Sequence, residues 1–402
     1  MSEWKSCKIG DLVTLRQGFA INSKSKHYIS KEPTSLALLR IADMKSGAKE
    51  IFVKEDIPQN FIAKPEDIIY TRTGNVGLVF KNCYGVVHNN CFTVTPNNES
   101  ELTRDFLFYL LQSKAFFDKA NSLARGAAQP DLPHTLFNSI EISYPPLPIQ
   151  HRIATILSRY DTLIENYQKQ IKLLEETAQR LYKEWFVDLR FPGYETAKMV
   201  DGLPEGWERK TLGEVFSYVR GKSYSSSEIS DEGCLMVNLK NIQAFGGYKR
   251  DAEKRFVGEY KSEQTLKKGD LVMGVTDMTQ ERRLVGHVAL IPDFDDPVTF
   301  SMDLIKIVPY SIPTSFLYCA MRYGDISKQI SPLANGVNVL HLKPEAMMGF
   351  MIVVPRKELV ERFCLIVEEM INKILKTQSQ IRLLTEARDR LLPKLMGGEI
   401  KV

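Results

Sequence analysis

The chain has 402 residues, 53 basic and 49 acidic side chains and a formal net charge of +4. That is more chain than one hydrophobic core organises, since single cores stop growing near about 250–300 residues, and 44% hydrophobic with 25% charged residues excludes general disorder. A pI near 8.5 permits a nucleic-acid partner without demanding one, because the basic footprint that points to such a partner unaided lies above about 9.

No stretch approaches the roughly 18 uninterrupted apolar residues of a membrane span. The opening Met1-Ser2-Glu3-Trp4-Lys5-Ser6-Cys7 has no apolar signal-peptide core. Cys7, Cys83, Cys91, Cys234, Cys319 and Cys364 form no C-x-x-C pair. These features predict free thiols in a reducing cytoplasm and no metal site.

In chain order, residues 1–145 mix short β-like runs with turn residues. Asp67-Ile68-Ile69-Tyr70 and Gly77-Leu78-Val79-Phe80 are examples, and one helix is expected over Arg104–Phe117. From Pro145, Pro146 and Pro148 the pattern changes. Ile164, Tyr167, Ile171, Leu174, Ala178, Leu181 and Trp185 recur at spacings of 3 and 4, a heptad seam. A helix over Ile149–Trp185 has 37 residues and spans roughly 55 Å at 1.5 Å per residue. Its last aromatic residues, Tyr182–Phe186, suit either a partner surface or a buried contact.

After a linker over 191–206 the chain repeats itself. Trp4, Ile9, Gly10, Asp11 and Gly18 have counterparts 203 residues later at Trp207, Leu212, Gly213, Glu214 and Gly221, and Asp67-Ile68-Ile69 returns as Asp270-Leu271-Val272. The offset then drifts to 209 at Val285-Gly286 and Leu317-Tyr318, and to 210 at Gly336, Leu342 and Gln380-Ile381-Arg382-Leu383-Leu384. A repeat near 200 residues is too long for a solenoid unit and reads as a duplicated module. The second copy holds strands at Asp270–Met273 and Val288–Ile291, a helix over Thr314–Tyr323, and a second seam through Ile374, Ile381, Leu384 and Leu391.

The predicted fold class is α+β. Two similar recognition modules, 1–145 and 207–354, are separated by a pair of long antiparallel coiled-coil helices, 146–190 and 355–396, in a cyclic pseudo-two-fold layout. Residues 397–402 form a tail. The seam is expected to run through Ile164, Ile171, Leu174 and Leu181 on one helix and the four residues just named on the other.

Several strings in this order resemble the specificity subunits of type I restriction–modification systems. They are the duplicated Trp, four residues, Ile or Leu, Gly, acid opening; Thr71-Arg72-Thr73-Gly74-Asn75-Val76-Gly77; Gly126-Ala127-Ala128-Gln129-Pro130; Pro145-Pro146-Leu147-Pro148-Ile149-Gln150; and Arg390-Leu391-Leu392-Pro393-Lys394-Leu395-Met396. The resemblance covers essentially the whole chain. It implies a non-catalytic, bacterial or archaeal subunit whose two target recognition domains each read half of a bipartite double-stranded DNA site. It implies helices that set the spacing and dock two methyltransferase subunits. S-adenosylmethionine, ATP and magnesium are then expected in the methyltransferase and motor–nuclease partners, with no cofactor in this chain. The second half departs from the pattern, with Gly274-Val275-Thr276-Asp277-Met278 and an insertion carrying Glu281, Arg282 and Arg283, and with Gly336-Val337-Asn338-Val339 for Gly126-Ala127-Ala128-Gln129.

A DNA reader needs phosphate contacts for affinity and base-edge contacts for sequence. Arg suits guanine O6/N7, and Asn or Gln suits adenine N6/N7. Candidates in the first module are Arg16, Gln17, Lys24, Lys26, Arg72, Thr73, Asn75, Arg125 and Gln129. In the second they are Arg220, Lys222, Asn238, Lys240, Asn241, Thr276, Arg282, Arg283, Asn335, Asn338 and His341. Gly18 and Gly221 would let backbone approach a phosphate, whereas Asp67, Asp270, Gly10 and Gly213 read as structural.

Ser143-Tyr144-Pro145-Pro146-Leu147 lacks the flanking residues of an adenine-methyltransferase motif, and no G-x-x-x-x-G-K-S/T phosphate loop occurs. Asp251 with Glu259 and Lys261 matches a metal-nuclease pattern only loosely and has no counterpart in the first half. A coiled-coil adaptor with two protein-binding heads is the competing reading, motivated by the modest charge.

Overall fold

The computed structural model describes residues 4–47, 49–126, 128–250 and 252–402. Met1, Ser2 and Glu3, Ala127 of the glycine-alanine motif and Asp251 of the nuclease-like pattern lie outside the described residues. Contacts divide the chain into two compact units, Met1–Thr162 with Thr385–Val402 and Leu163–Leu384.

The first unit is built on an antiparallel sheet in the order Val13–Gln17, Cys91–Pro96, Ile68–Thr71, Val79–Phe80. The second uses Phe216–Arg220, Leu304–Pro309, Leu271–Gly274, Val288–Leu290. The repeat in the letters is therefore a repeat in topology. Ile68–Thr71 and Leu271–Gly274 are buried along their whole length, as the unbroken apolar runs demand. A parallel pair recurs as well, Leu36–Leu39 with Gly85–Val87 and Cys234–Val237 with Val298–Phe300. So does a closing ribbon, Lys5–Lys8 with Glu141–Tyr144 and Glu208–Thr211 with Met351–Val354.

Gly18 and Gly221 sit where the chain leaves the central sheet for the second one, beside the Phe19–His88 and Lys222–Ser301 bridges. A Cβ on Gly18 would lie 2.3 Å from the His88 carbonyl oxygen, and one on Gly221 2.0 Å from that of Ser301. These glycines serve a strand crossing, where a side chain has no room.

The structural role read for Asp67 and Asp270 is visible. Asp67 accepts from the Lys64 N–H at 2.9 Å and pairs with Arg16 at 3.2 Å. Asp270 accepts from the Lys267 N–H at 2.9 Å and pairs with Lys306 at 2.8 Å. Arg16 lies opposite Thr93 in the first sheet, whereas Lys306 lies opposite Val219 in the second. The acid has kept its place and its cation has moved to the adjoining strand.

The single helix expected over Arg104–Phe117 is two helices, Arg104–Gln112 and Lys114–Leu123. Ser113 breaks them: its backbone is extended, its hydroxyl donates to the Leu110 carbonyl at 2.7 Å, and it accepts from the Phe116 N–H at 3.3 Å. Thr314–Tyr323 forms as expected, followed by Ile326–Ile330.

The long helices are Leu147–Tyr182, of 36 residues with a further π turn over Lys183–Val187, and Lys357–Met396, of 40 residues. They run antiparallel within the second unit. Glu175 and Ala178 line one small cavity with Ile371, Ile374, Leu375 and Gln378, while Tyr182 and Trp185 lie 6.0 and 5.9 Å from the Phe363 ring.

The residues of the expected seam are covered unevenly. Ile164 is buried, but Ile171, Leu174, Leu181, Ile374, Ile381, Leu384 and Leu391 are only half-buried. Ala178 and Thr377 are the deep positions of the seam itself, and the other deep helix positions enter the modules. Ile153, Ala154, Leu157 and Leu395 join the core of Phe92, Phe106 and Phe137. Tyr182, Trp185, Val360, Phe363, Cys364 and Val367 join that of Phe216 and Phe316. A two-helix contact covers each seam residue from one side only, whereas a module core surrounds it. Tyr182 and Trp185 are thus a buried contact, not a partner surface.

Each unit ties a helix down with a tyrosine and an ion pair. In the first, Asp161 accepts from the Tyr109 hydroxyl at 2.5 Å and from Arg388 at 2.8 Å. In the second, Arg322 donates to Glu175 at 2.9 Å and to the hydroxyl of Tyr318. Tyr109 and Tyr318 are repeat counterparts.

Candidate nucleic-acid interface

In the first module, the loop after strand Ile68–Thr71 meets the segment 125–132. Thr73 and Arg125 both bridge Asp131, the Gly74 N–H donates to the Pro130 carbonyl at 2.8 Å, and the Leu132 N–H to the Arg72 carbonyl at 2.9 Å. The Arg72 guanidinium is held in this frame. Its Nε and Nη2 donate to the two Asp131 carboxylate oxygens at 3.1 and 2.7 Å, and its Nη1 donates to Gln17 Oε1 at 3.0 Å. Gln17 is fixed in turn by its Nε2 on the Asn89 carbonyl at 2.7 Å, and Thr73 donates to Asp131 at 2.5 Å.

Arg72 is the main reason the Asp131 carboxyl titrates below the usual range, with Thr73 adding to it. His134, edge-on to Phe92 at 4.8 Å, is held below the ordinary imidazole value by burial first and by Arg72 second. Asn75, Arg125 and Gln129 stand exposed around this centre, and Lys24 and Lys26 are exposed on a loop turned by the Asn22 carboxamide.

Arg16 does not join them. Successive residues of a strand face opposite sides, so Gln17 meets Arg72 while Arg16 turns to Thr93, the Ile62 carbonyl and Asp67. Asp131 was missed among the candidates. The repeat offset of 210 that relates Leu132 to Leu342 pairs it with His341, which was named.

The second module keeps the frame and changes its contents. The Leu342 N–H donates to the Val275 carbonyl at 2.8 Å, so Val275 stands where Arg72 stands. His341 takes the place of Asp131, pairing with Thr276 and Asn335. Asp277 is fully buried and accepts from Thr279 N–H and hydroxyl, both at 2.8 Å, and from the Leu284 and Val285 N–H groups at 2.6 and 3.2 Å. Burial alone would raise its carboxyl. The backbone N–H groups of Leu284 and Thr279 outweigh that and hold it below the ordinary value. Asp277 thereby folds the insertion.

Three candidates here are corrected by burial. Thr276 donates to Asp303 at 3.0 Å beneath the surface. Asn238 caps a helical turn, accepting from the Lys240 N–H and donating to the Ala252 carbonyl at 2.6 Å. Asn241 donates to the Lys249 carbonyl at 3.0 Å and accepts from the Asn238 N–H. These amides hold a loop; they do not face a groove. Lys240, Asn335, Asn338 and His341 are exposed, Lys222 and Arg282 half-buried, and Arg283 lies 3.9 Å from Glu281. Arg220 pairs with Glu345 at 2.7 Å, a carboxyl drawn down to about 2 by the Tyr218 hydroxyl and by Arg220.

All six cysteines are free. Among the described residues no group of three or more His, Cys, Asp or Glu converges as a metal site, and no helix is long and apolar enough to cross a membrane.

A duplicated α+β frame with twin long helices and divergent polar loops has counterparts among known proteins. Residues 1–176 match the family described as the type I restriction modification DNA specificity domain. The type I restriction enzyme MjaIX specificity subunit of Methanocaldococcus jannaschii is 28% identical over 309 residues, 74% of this chain and 69% of that one. The MjaVIII specificity subunit of the same organism is 24% identical over all of this chain and 93% of its own. A crystal structure of the type I restriction–modification system S subunit from M. genitalium has the same fold, with a TM-score of 0.61 and 20% identity over 98% of this chain and 96% of that one. Residues 1–176 thus carry the likeness to the type I restriction modification DNA specificity domain, and similarity to a specificity subunit extends over the whole chain.

Proposed function

We propose that this chain is the non-catalytic, sequence-reading subunit of a type I restriction–modification complex. Each module reads one half of a bipartite duplex site. The paired helices fix the spacing and carry the methyltransferase subunits, which bring S-adenosylmethionine. Motor–nuclease subunits using ATP and magnesium complete the assembly.

The observation that carries this reading is the posture of Arg72. A guanidinium has five N–H groups, and three of those of Arg72 are bound to Asp131 and Gln17. Two remain, the number that a guanine O6/N7 edge accepts. Asp131 and Gln17 are positioning residues that fix the guanidinium plane before DNA arrives, which lowers the ordering cost of binding. Exposed Lys24, Lys26 and Arg125 supply phosphate contacts, whose strength falls steeply with salt.

Methylation mapping of host DNA with and without this gene tests the proposal. Loss of adenine methylation at one bipartite motif is the expected result. Unchanged methylation at every bipartite motif in an active system refutes it.

A further inference from the structure

The second module carries a surface that the first lacks. Between Thr276 and Val285 the repeat offset grows from 203 to 209, an insertion of six residues. Its tip is Met278, 78% exposed, and the neighbouring loop carries Val337, 89% exposed. Gln280 Nε2 donates to the Val337 carbonyl at 3.3 Å, so the two loops share one surface. Phe245, 56% exposed, adjoins them through its N–H on the Arg283 carbonyl at 2.8 Å.

Large apolar side chains held in water forgo the stabilisation of burial. Phe245 and Arg282 also hold positive φ of 64° and 52°, a region that disfavours residues with a side chain and that clusters at ligand-contacting sites. Arg282, Asn335, Asn338 and His341 lie on the same loops as the apolar tips, with Arg283 partly balanced by Glu281 at 3.9 Å, at the place where the first module holds Arg72 and Asp131. The Arg282 guanidinium and the Asn335 and Asn338 amides complement phosphates and base edges. An apolar centre complements the apolar group that DNA displays in its major groove, the C5 methyl of thymine.

We infer that Met278 and Val337 read thymine methyl groups in the half-site of the second module, where the first module reads a hydrogen-bonding base edge through Arg72. This rests on the DNA-reading function proposed above and adds the chemical feature that the second module recognises.

The test uses duplexes carrying the mapped bipartite site with thymine throughout, or with deoxyuridine for thymine in one half-site or the other. Binding is measured for the assembled methyltransferase complex containing the natural chain or Met278→Ala with Val337→Ala. Deoxyuridine in one half-site should weaken the natural complex about four-fold per methyl lost, the equivalent of one buried methyl-sized group. It should not further weaken the double variant. Met278→Leu with Val337→Ile, which keeps both apolar tips, should retain the response. An equal deoxyuridine response in the natural complex and the alanine variant overturns the inference, as does no response in either half-site. A variant that loses methyltransferase from the complex while keeping its deoxyuridine response makes the patch a protein-docking surface and also overturns it. Failure of the natural complex to bind the all-thymine duplex specifically is a separate result, which refutes the DNA-reading function itself.

Discussion

The two modules share the strand order of the central sheet, the parallel pair, the ribbon and the glycine crossing, yet at one equivalent place the first holds Arg72 on Asp131 and the second holds Val275 beside His341. The frame at that place is backbone. The Leu132 N–H on the Arg72 carbonyl and the Leu342 N–H on the Val275 carbonyl make the same bond with different side chains. A frame made of backbone hydrogen bonds tolerates any side chain that fits, so the reading surface can change without disturbing the sheet beneath it. The Asp67–Arg16 and Asp270–Lys306 pairs teach the same lesson inside the frame, where the charge pairing is kept and its donor strand is not.

The largest effect expected separates the two helix ties. Arg322→Ala leaves Glu175 without its guanidinium in a largely buried setting, and breaking such a pair costs about 3 kcal/mol or more. Arg388→Ala removes the partner of Asp161, but Asp161 keeps the Tyr109 hydroxyl and Arg388 is the more exposed of the two arginines, so the loss should be smaller. Urea unfolding of both variants checks the order, and an equal or reversed order would show that burial of the ion pair does not set the cost of breaking it.

Next is the reading centre. Arg72→Ala should lower discrimination at a single position of one half-site, by about 1–3 kcal/mol or roughly 5- to 150-fold. Asp131→Asn should relax the same position while the other half-site stays as strict as before, read by methylation mapping. Loss of stringency in both half-sites would contradict the division of labour between modules.

Much of this organisation was legible in the letters, because it rests on features with a period. The repeat, the long helices and the strands around Asp67 and Asp270 all appear as regular spacings. The reading residues are harder because a loop carries no period. Arg16 and Gln17 are adjacent and chemically alike as candidates, but one step along a strand reverses their faces. Asn238 and Asn241 are good adenine readers in isolation and good turn caps in a chain, and the capping bonds to Lys240 and Ala252 decide for the cap. The depth of the seam was not legible for a different reason. Heptad spacing marks an apolar stripe without naming what covers it, and module cores cover Ile153, Leu157, Phe363 and Val367 more fully than the partner helix covers Ile171 or Ile381.

The swapped ion pairs give a smaller and sharper test. The Lys306–Asp270 pair is more enclosed than Arg16–Asp67, so Asp270→Asn should cost more than Asp67→Asn. The first is expected to lie near about 1–2 kcal/mol and the second within the usual range of exposed pairs, below about 1 kcal/mol. Moving the cation within the first module, Arg16→Val with Thr93→Lys, should recover part of the loss from Arg16→Val alone. Thermal unfolding of the single and double variants measures that recovery, and its absence would mean that the two strands do not present the acid in the same way.

The smallest effect expected is one that the two modules share despite their different loops. His134 lies beside Arg72 and Asp131 in the first, and His287 lies beneath the insertion in the second, near Asp277, the Arg282 backbone, Lys328 and Arg322. Burial is the leading reason that both imidazoles titrate below the ordinary value of 6.5. In the unfolded chain each ring takes its proton near that value, whereas in the folded chain it resists protonation until a lower pH. The unfolded state therefore binds more protons as the pH falls below about 6.5, and stability falls with it. The contribution is complete above 6.5 and is lost as the pH drops through the lowered folded value. Unfolding midpoints measured from pH 7.5 down to 5.5 should decline smoothly. His134→Phe and His287→Phe should each flatten part of that slope, and a slope unchanged in both variants would assign the pH dependence to other groups.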